Sequence, residues 1–150
     1  MGHGFNLYLN GTLLSAKYKN SNLWVASAPH DTETIGATYL HKNWDIGFFN
    51  KRIGTLYNDN GSLNQAVEID PFNITNLFFN YTMKEASHWR GTKFRFGVTN
   101  VFDQHNIIGV TPPKASAGLS PAPAVGGDTL TLMAGRSISG SVTFGFAPKR

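Results

Sequence analysis

The sequence predicts an all-β fold of antiparallel strands belonging to a transmembrane β-barrel, and three observations carry that expectation. Phe, Tyr, Trp, Val, Ile and Thr recur in runs bounded by Gly, Asn, Asp and Pro, with no helical period. The last two runs alternate cleanly between an apolar and a polar face. Several runs extend over about 11–15 residues, whereas soluble strands average about five or six and a strand tilted across a bilayer needs about 9–11.

Six strands are expected, over residues 4–18, 33–41, 44–57, 71–84, 92–102 and 129–146. The first is followed by a long connection, 20–32, and the second turns tightly into the third at 41–44. The third is separated from the fourth by another long segment, 58–70. In the fourth, Leu77, Phe79, Tyr81 and Met83 alternate with Asn76, Asn80 and Thr82. After the fairly short 85–91, the fifth sets Phe94, Phe96 and Val98 against Lys93, Arg95, Gly97 and Thr99. The longest connection, 103–128, holds Pro112, Pro113, Pro121 and Pro123 among Ala, Gly and Ser and reads as a surface loop. In the sixth strand Ile138, Gly140, Val142, Phe144 and Phe146 face one side, and Ser137, Ser139, Ser141, Thr143 and Gly145 the other. Long connections at one end and short ones at the other are the pattern of an outer-membrane barrel. A soluble sandwich alternates too, so alternation alone leaves open which side faces water.

Composition narrows the classes. The 150 residues suit one domain, and charged residues make up 15%, below the roughly 25% of an average soluble domain. Aromatic residues reach 13%, with 11 Phe, beside 16 Gly, and the net charge is +4. The absence of cysteine excludes a disulfide scaffold and Cys-based zinc sites. No apolar stretch approaches the 18 or so residues of a transmembrane helix. Residues 1–10 lack the basic and apolar regions of a signal peptide.

Three short segments carry a family resemblance. Val98-Thr99-Asn100-Val101-Phe102-Asp103 resembles the "v-x-N-L-F-D" penultimate strand of TonB-dependent outer-membrane receptors, with Val101 where Leu is commoner. Gly135-Arg136-Ser137, running to Phe144-Gly145-Phe146, resembles their final strand, although Ala147-Pro148-Lys149-Arg150 follow the aromatic residue. Ala28-Pro29 and then Thr34-Ile35-Gly36-Ala37-Thr38-Tyr39 resemble an upstream loop-to-strand segment. The resemblance implies a 22-stranded barrel around an N-terminal plug, of which this chain supplies about the last six strands and no plug or TonB box. Such a piece reads as a fragment or truncated product, and in isolation would be an open, curved sheet. It further implies the cell outer membrane of a Gram-negative organism and energised uptake of a scarce ligand, typically a ferric siderophore. The partners would then be outer-membrane lipid, the rest of the barrel and plug, the TonB complex indirectly, and the siderophore-type ligand. This chain would contribute wall and outer loops. A small independent structural or adhesive β-protein, or a soluble β-sandwich that binds a ligand, remains the alternative.

The residues themselves point to no catalytic group, no metal ligands, no cofactor and no defined substrate-binding residue. Lys93, Arg95, Asn76, Asn80 and Thr82 fit a water-filled lumen, and could pair with acidic plug residues. Trp44, Trp89, Tyr81, Phe144 and Phe146 lie near expected strand ends, where an interfacial aromatic belt belongs. His3, His30, His41, His88 and His105 fall in five separate segments without ligand spacing. Gly135-Arg136-Ser137-Ile138-Ser139 misses the nucleophile elbow at its last position, so no enzyme is expected. Basic residues interleaved with Phe in 90–96 suggest an RNA-binding strand, but Thr92, Lys93 and Arg95 break that pattern, and no nucleic-acid partner is expected.

Overall fold

The computed structural model describes residues 4–19, 23–59, 66–84, 88–111 and 129–145. The described residues are all-β, with ten strands among them: β1 Gly4–Leu13, β2 Asp31–His41, β3 Trp44–Ile53, β4 Leu56–Asp59, β5 Ala66–Ile69, β6 Phe72–Thr82, β7 Lys93–Thr99, β8 Ile107–Thr111, β9 Thr129–Leu132 and β10 Ser137–Thr143. Six of them form one sheet in the order β1-β2-β3-β6-β7-β10, every pair antiparallel. The sheet is open, since β1 and β10 are its two edges.

The expected strands are present but broken in ways the sequence reading missed. The first ends at Leu13, beyond which Lys17 and Trp24 form an isolated antiparallel bridge. The third divides into β3 and β4 at Gly54-Thr55, where Gly54 N–H donates to the Asp31 carbonyl (2.9 Å) and the Thr55 carbonyl accepts from His30 N–H (2.9 Å). These bonds turn the chain toward the β1–β2 connection and take it out of the main ladder. The last divides into β9 and β10, because Met133 N–H donates to the Asn106 carbonyl and bends the chain away. Both β5 and β8 lie in segments expected to be loops. They pair with β4 and β9 as two small hairpins. Residues 112–128, with the four prolines of the longest connection, lie outside the described residues, as do His3, Phe146 and the four residues after it.

The buried core sits at one end of the sheet rather than under it. Leu56, Ile69, Phe72, Val110 and Met133 are buried together, with Ile53, Val67, Ile74 and Ile108 packed against them. Phe72, Ile74 and Ile53 belong to the sheet, so the two hairpins close over one end of one face. The side chain of Asn58 ties them by donating to the Val110 carbonyl.

Long and short connections separate to opposite ends, as the sequence implied. The β2–β3 turn is Lys42-Asn43, with Lys42 at φ 50°. At the same end, β6 and β7 are closed by Met83 N–H to Thr92 O (2.9 Å) and Gly91 N–H to Met83 O (2.8 Å).

Candidate functional site

Register fixes which residues share a face, because side chains alternate along every strand. One row runs Phe5, Tyr39, Ile46, Phe79, Phe96, Gly140 across all six strands. The next runs Leu7, Ala37, Phe48, Leu77, Val98, Ile138. Leu9 with Ile35 extends the band on one side, and Trp44, Tyr81, Phe94 and Val142 on the other. The result is an apolar band six strands wide with no charged residue in it. On β6 it reaches from Leu77 to Tyr81, about 14 Å at roughly 3.4 Å per residue.

This band is exposed, Leu9 being 74% accessible and even the central Phe79 39%. Monomeric soluble proteins rarely leave contiguous apolar patches larger than a few hundred Å² uncovered. Polar groups bound it along the strands. Toward the long connections, Asn50 donates to Thr75 Oγ1 (2.8 Å), and Arg52 pairs with Asp31 and, at 4.0 Å, with Glu33. Toward the short turns, Lys84 Nζ donates to the Lys42 carbonyl (2.7 Å).

Aromatic rings gather at the short-turn end of the band. Trp44 lies 4.2 Å from Tyr81 and 4.8 Å from Phe79 between ring centroids, and Tyr81 is 6.3 Å from Phe94. Trp89 packs 5.8 Å from Phe144. The buried Thr92 secures this corner, its hydroxyl accepting from Gly145 N–H (3.1 Å). Four of the five aromatic residues expected at strand ends thus stand at this one end of the strands.

The opposite face is polar over β7 and β10 and mixed over the strands before them. Asn76, Asn80 and Thr82 share it with Lys93 and Arg95, and β10 adds Ser137, Ser139, Ser141 and Thr143. Neither Lys93 nor Arg95 has an ion-pair partner among the described residues. Sequence reading missed that aromatic rings cross this face: Tyr8 to Phe49 at 6.3 Å and Phe49 to Phe78 at 6.2 Å. Phe49 lies over Gly36 and Phe78 over Gly47, where any Cβ would overlap the ring. Glycine on one strand therefore makes room for a ring on the next, a cross-strand pairing that only the register reveals.

At the far end of β7 a polar clasp joins two of the segments singled out in the sequence. Asn100, 3% exposed and at φ 52°, accepts Gln104 N–H on Oδ1 (3.0 Å). Its Nδ2 donates to the carbonyls of Gln104 (2.8 Å) and Ala134 (2.9 Å), and its own N–H donates to Asn76 Oδ1 (3.1 Å). Asp103, at φ 54°, accepts Arg136 N–H on Oδ1 (2.7 Å), and its other oxygen lies 3.7 Å from the Arg136 guanidinium. His105 Nε2 is 3.5 Å from the same carboxylate.

The Asp103 carboxyl is held below its ordinary range, first by the Arg136 backbone N–H. Partial desolvation opposes this, while the charges of His105 and Arg136 and the His105 hydrogen bond add to it. A carboxyl with a lower pKa folded than unfolded stabilises the clasp above the unfolded value of about 3.9, and that contribution is lost as pH falls through the folded value. Protection of the Arg136 amide from exchange is therefore expected to be flat above about pH 5 and to fall in more acid solution. Asp103→Asn should flatten that dependence.

The described histidines stand apart: His30 beside Trp24 (4.1 Å), His41 stacked on Tyr39, His88 near Trp89, and His105 at the clasp. A cavity of about 500 Å³ opens where β5 meets β8, lined by Ile69, Asp70, His105, Ile107, Val110 and Leu130. No family model, curated protein or solved structure matches the chain.

Proposed function

We propose that the chain is wall and outer-loop structure of an outer-membrane β-barrel of the TonB-dependent receptor kind, serving energised uptake of a scarce ligand such as a ferric siderophore. The observation that supports this most is the uncharged apolar band six strands wide, edged by aromatic rings at the short-turn end and backed by a polar face. A barrel wall needs these features together: apolar outside, polar inside, and amphipathic rings at headgroup level. The receptor assignment rests on the sequence resemblance. It gains support from the meeting of two resembling segments, through Asp103 with Arg136. In this reading the β8–β9 hairpin folds toward the lumen mouth, because the core it helps to form lies on the polar side of the sheet.

The band is tested by its tryptophans. Refolded into vesicles whose acyl chains carry bromine near the headgroups, Trp44 and Trp89 are expected to be quenched strongly, and Trp24, on the long-connection side, weakly. Variants that keep one tryptophan each separate the three signals. Equal quenching of all three, or none, would remove the membrane reading. The receptor reading is tested separately, by uptake of iron from siderophores in cells whose receptor contains this chain with and without residues 107–125.

A further inference from the structure

We infer that the cavity between the β4–β5 and β8–β9 hairpins is a binding site for a small organic cation, an ammonium group carried on an apolar body. The two hairpins alone build the site, so the inference goes beyond the barrel reading and does not depend on it.

The cavity follows from how the hairpins meet. Alternation along β5 turns Ile69 inward, where it is buried, and leaves Glu68 and the following Asp70 exposed on the outer side. On β8 Val110 is buried in the same way, and its carbonyl accepts from the Asn58 side chain. One buried residue from each hairpin therefore gives the cavity a fixed floor. Ile107 and Leu130 line it too, yet stay 40% and 52% exposed. Bare apolar surface in a concave wall favours an apolar guest, because covering it releases water that the wall cannot hydrogen-bond. The volume, about 500 Å³, falls within the roughly 300–1,000 Å³ of small-molecule sites, which are mostly apolar with a few placed polar groups.

Charge selects the guest. Glu68 and Asp70 line the cavity, and neither carboxylate has an ion-pair partner among the described residues. No Lys or Arg is among the residues that line it, although the chain as a whole carries +4. The neighbouring clasp supplies no free cation either, since Arg136 lies 3.7 Å from one oxygen of Asp103, whose other oxygen faces His105 Nε2 at 3.5 Å. An anionic guest would meet two like charges with nothing to offset them. A neutral hydrocarbon would cover the floor and leave both carboxylates unpaired. An ammonium on an apolar stem satisfies the rim and the floor together, its three N–H donors meeting the two carboxylates and the amide oxygen of Asn106, which also lines the cavity. A bare metal ion fits less well: it has no use for the apolar wall, and no group of three ligating side chains occurs among the described residues.

The probes are phenethylammonium and 3-phenylpropionate, its anionic counterpart of matching length. Each is titrated into the full chain, methyl-labelled at Ile, Leu and Val and refolded into dodecylmaltoside micelles. The phenyl ring of phenethylammonium is expected to shift the methyl signals of Ile69, Ile107, Val110 and Leu130 saturably, and to move those of Ile46, Leu77 and Val98, on the apolar band, far less. 3-Phenylpropionate should bind about tenfold more weakly. Glu68→Gln combined with Asp70→Asn should weaken phenethylammonium about tenfold and leave 3-phenylpropionate no weaker. Both substitutions keep side-chain shape at exposed positions, so the methyl spectrum of the main sheet should match that of the unmodified chain. Equal binding of the two probes, or equal loss of both in the double variant, overturns the assignment to a cation. Absence of saturable shifts at the four cavity methyls overturns the site. If Trp44 is quenched in vesicles and no such site is found, the inference fails and the wall reading stands; a saturable site in a chain whose Trp44 is unquenched keeps the inference and removes the wall reading.

Discussion

Replacing Phe79 with Arg is expected to destabilise the bilayer-inserted chain by about 2–4 kcal/mol, the cost of a lipid-facing cation near the midplane of a barrel strand. The same change in water should make the chain more soluble. Phe79 sits mid-band between Ile46 and Phe96, flanked on its own face by Leu77 and Tyr81. Nearer the short-turn end, Tyr81→Arg should cost only about 0–1 kcal/mol, because the guanidinium reaches the headgroups. Urea unfolding from vesicles measures both. In aqueous buffer the unmodified chain is expected to aggregate, its bare band and uncharged edges being free to associate. A soluble monomer with a cooperative melt, or a Phe79→Arg chain no less stable in vesicles, would contradict the assignment of this face to lipid.

The second large effect is expected at Asn100. Asn100→Ala removes three side-chain hydrogen bonds at a buried site and leaves a Cβ residue at φ 52°, where asparagine is better tolerated. At about 1 kcal/mol for each bond, with some backbone strain, a loss of about 3–4 kcal/mol follows. Asn100→Gly relieves the backbone but not the lost bonds, so it should recover only the smaller part. The damage should also be local. Amide exchange is expected to rise through β8 and β9, which the clasp anchors through the Gln104 and Ala134 carbonyls, and to change little in the β2–β3 hairpin. Uniform loss of protection across the sheet would show that Asn100 does not act as a local clasp.

Asn100 and Asp103 stood out in the sequence only as part of a resembling segment, with nothing to say what they hold. Beside the local Gln104, their partners across the clasp are Ala134 and Arg136, more than thirty residues away. Short-range patterns carry no information about which distant carbonyl a side chain will meet. The β8 run Ile107-Ile108-Gly109-Val110-Thr111 had a readable signal in its branched residues, but the proline-rich stretch after it made the whole connection look irregular. Phe49 and Phe78 are a different case. Alternation puts them on the polar side, yet only the glycines opposite, Gly36 and Gly47, explain why rings fit there, and opposition is a matter of register.

By itself the sequence determined the strand content, the split of β6, β7 and β10 into an apolar and a polar face, and the aromatic crowding at strand ends. Each is set within one strand by a period of two residues, and needs no knowledge of the neighbouring strand. Tertiary structure alone decided where strands break, how the long connections fold into hairpins over one end of the polar face, and which strands are left as edges. Those outcomes depend on what a distant segment offers: a carbonyl for a turning N–H, a glycine for a ring, or, along β1 and β10, nothing at all among the described residues.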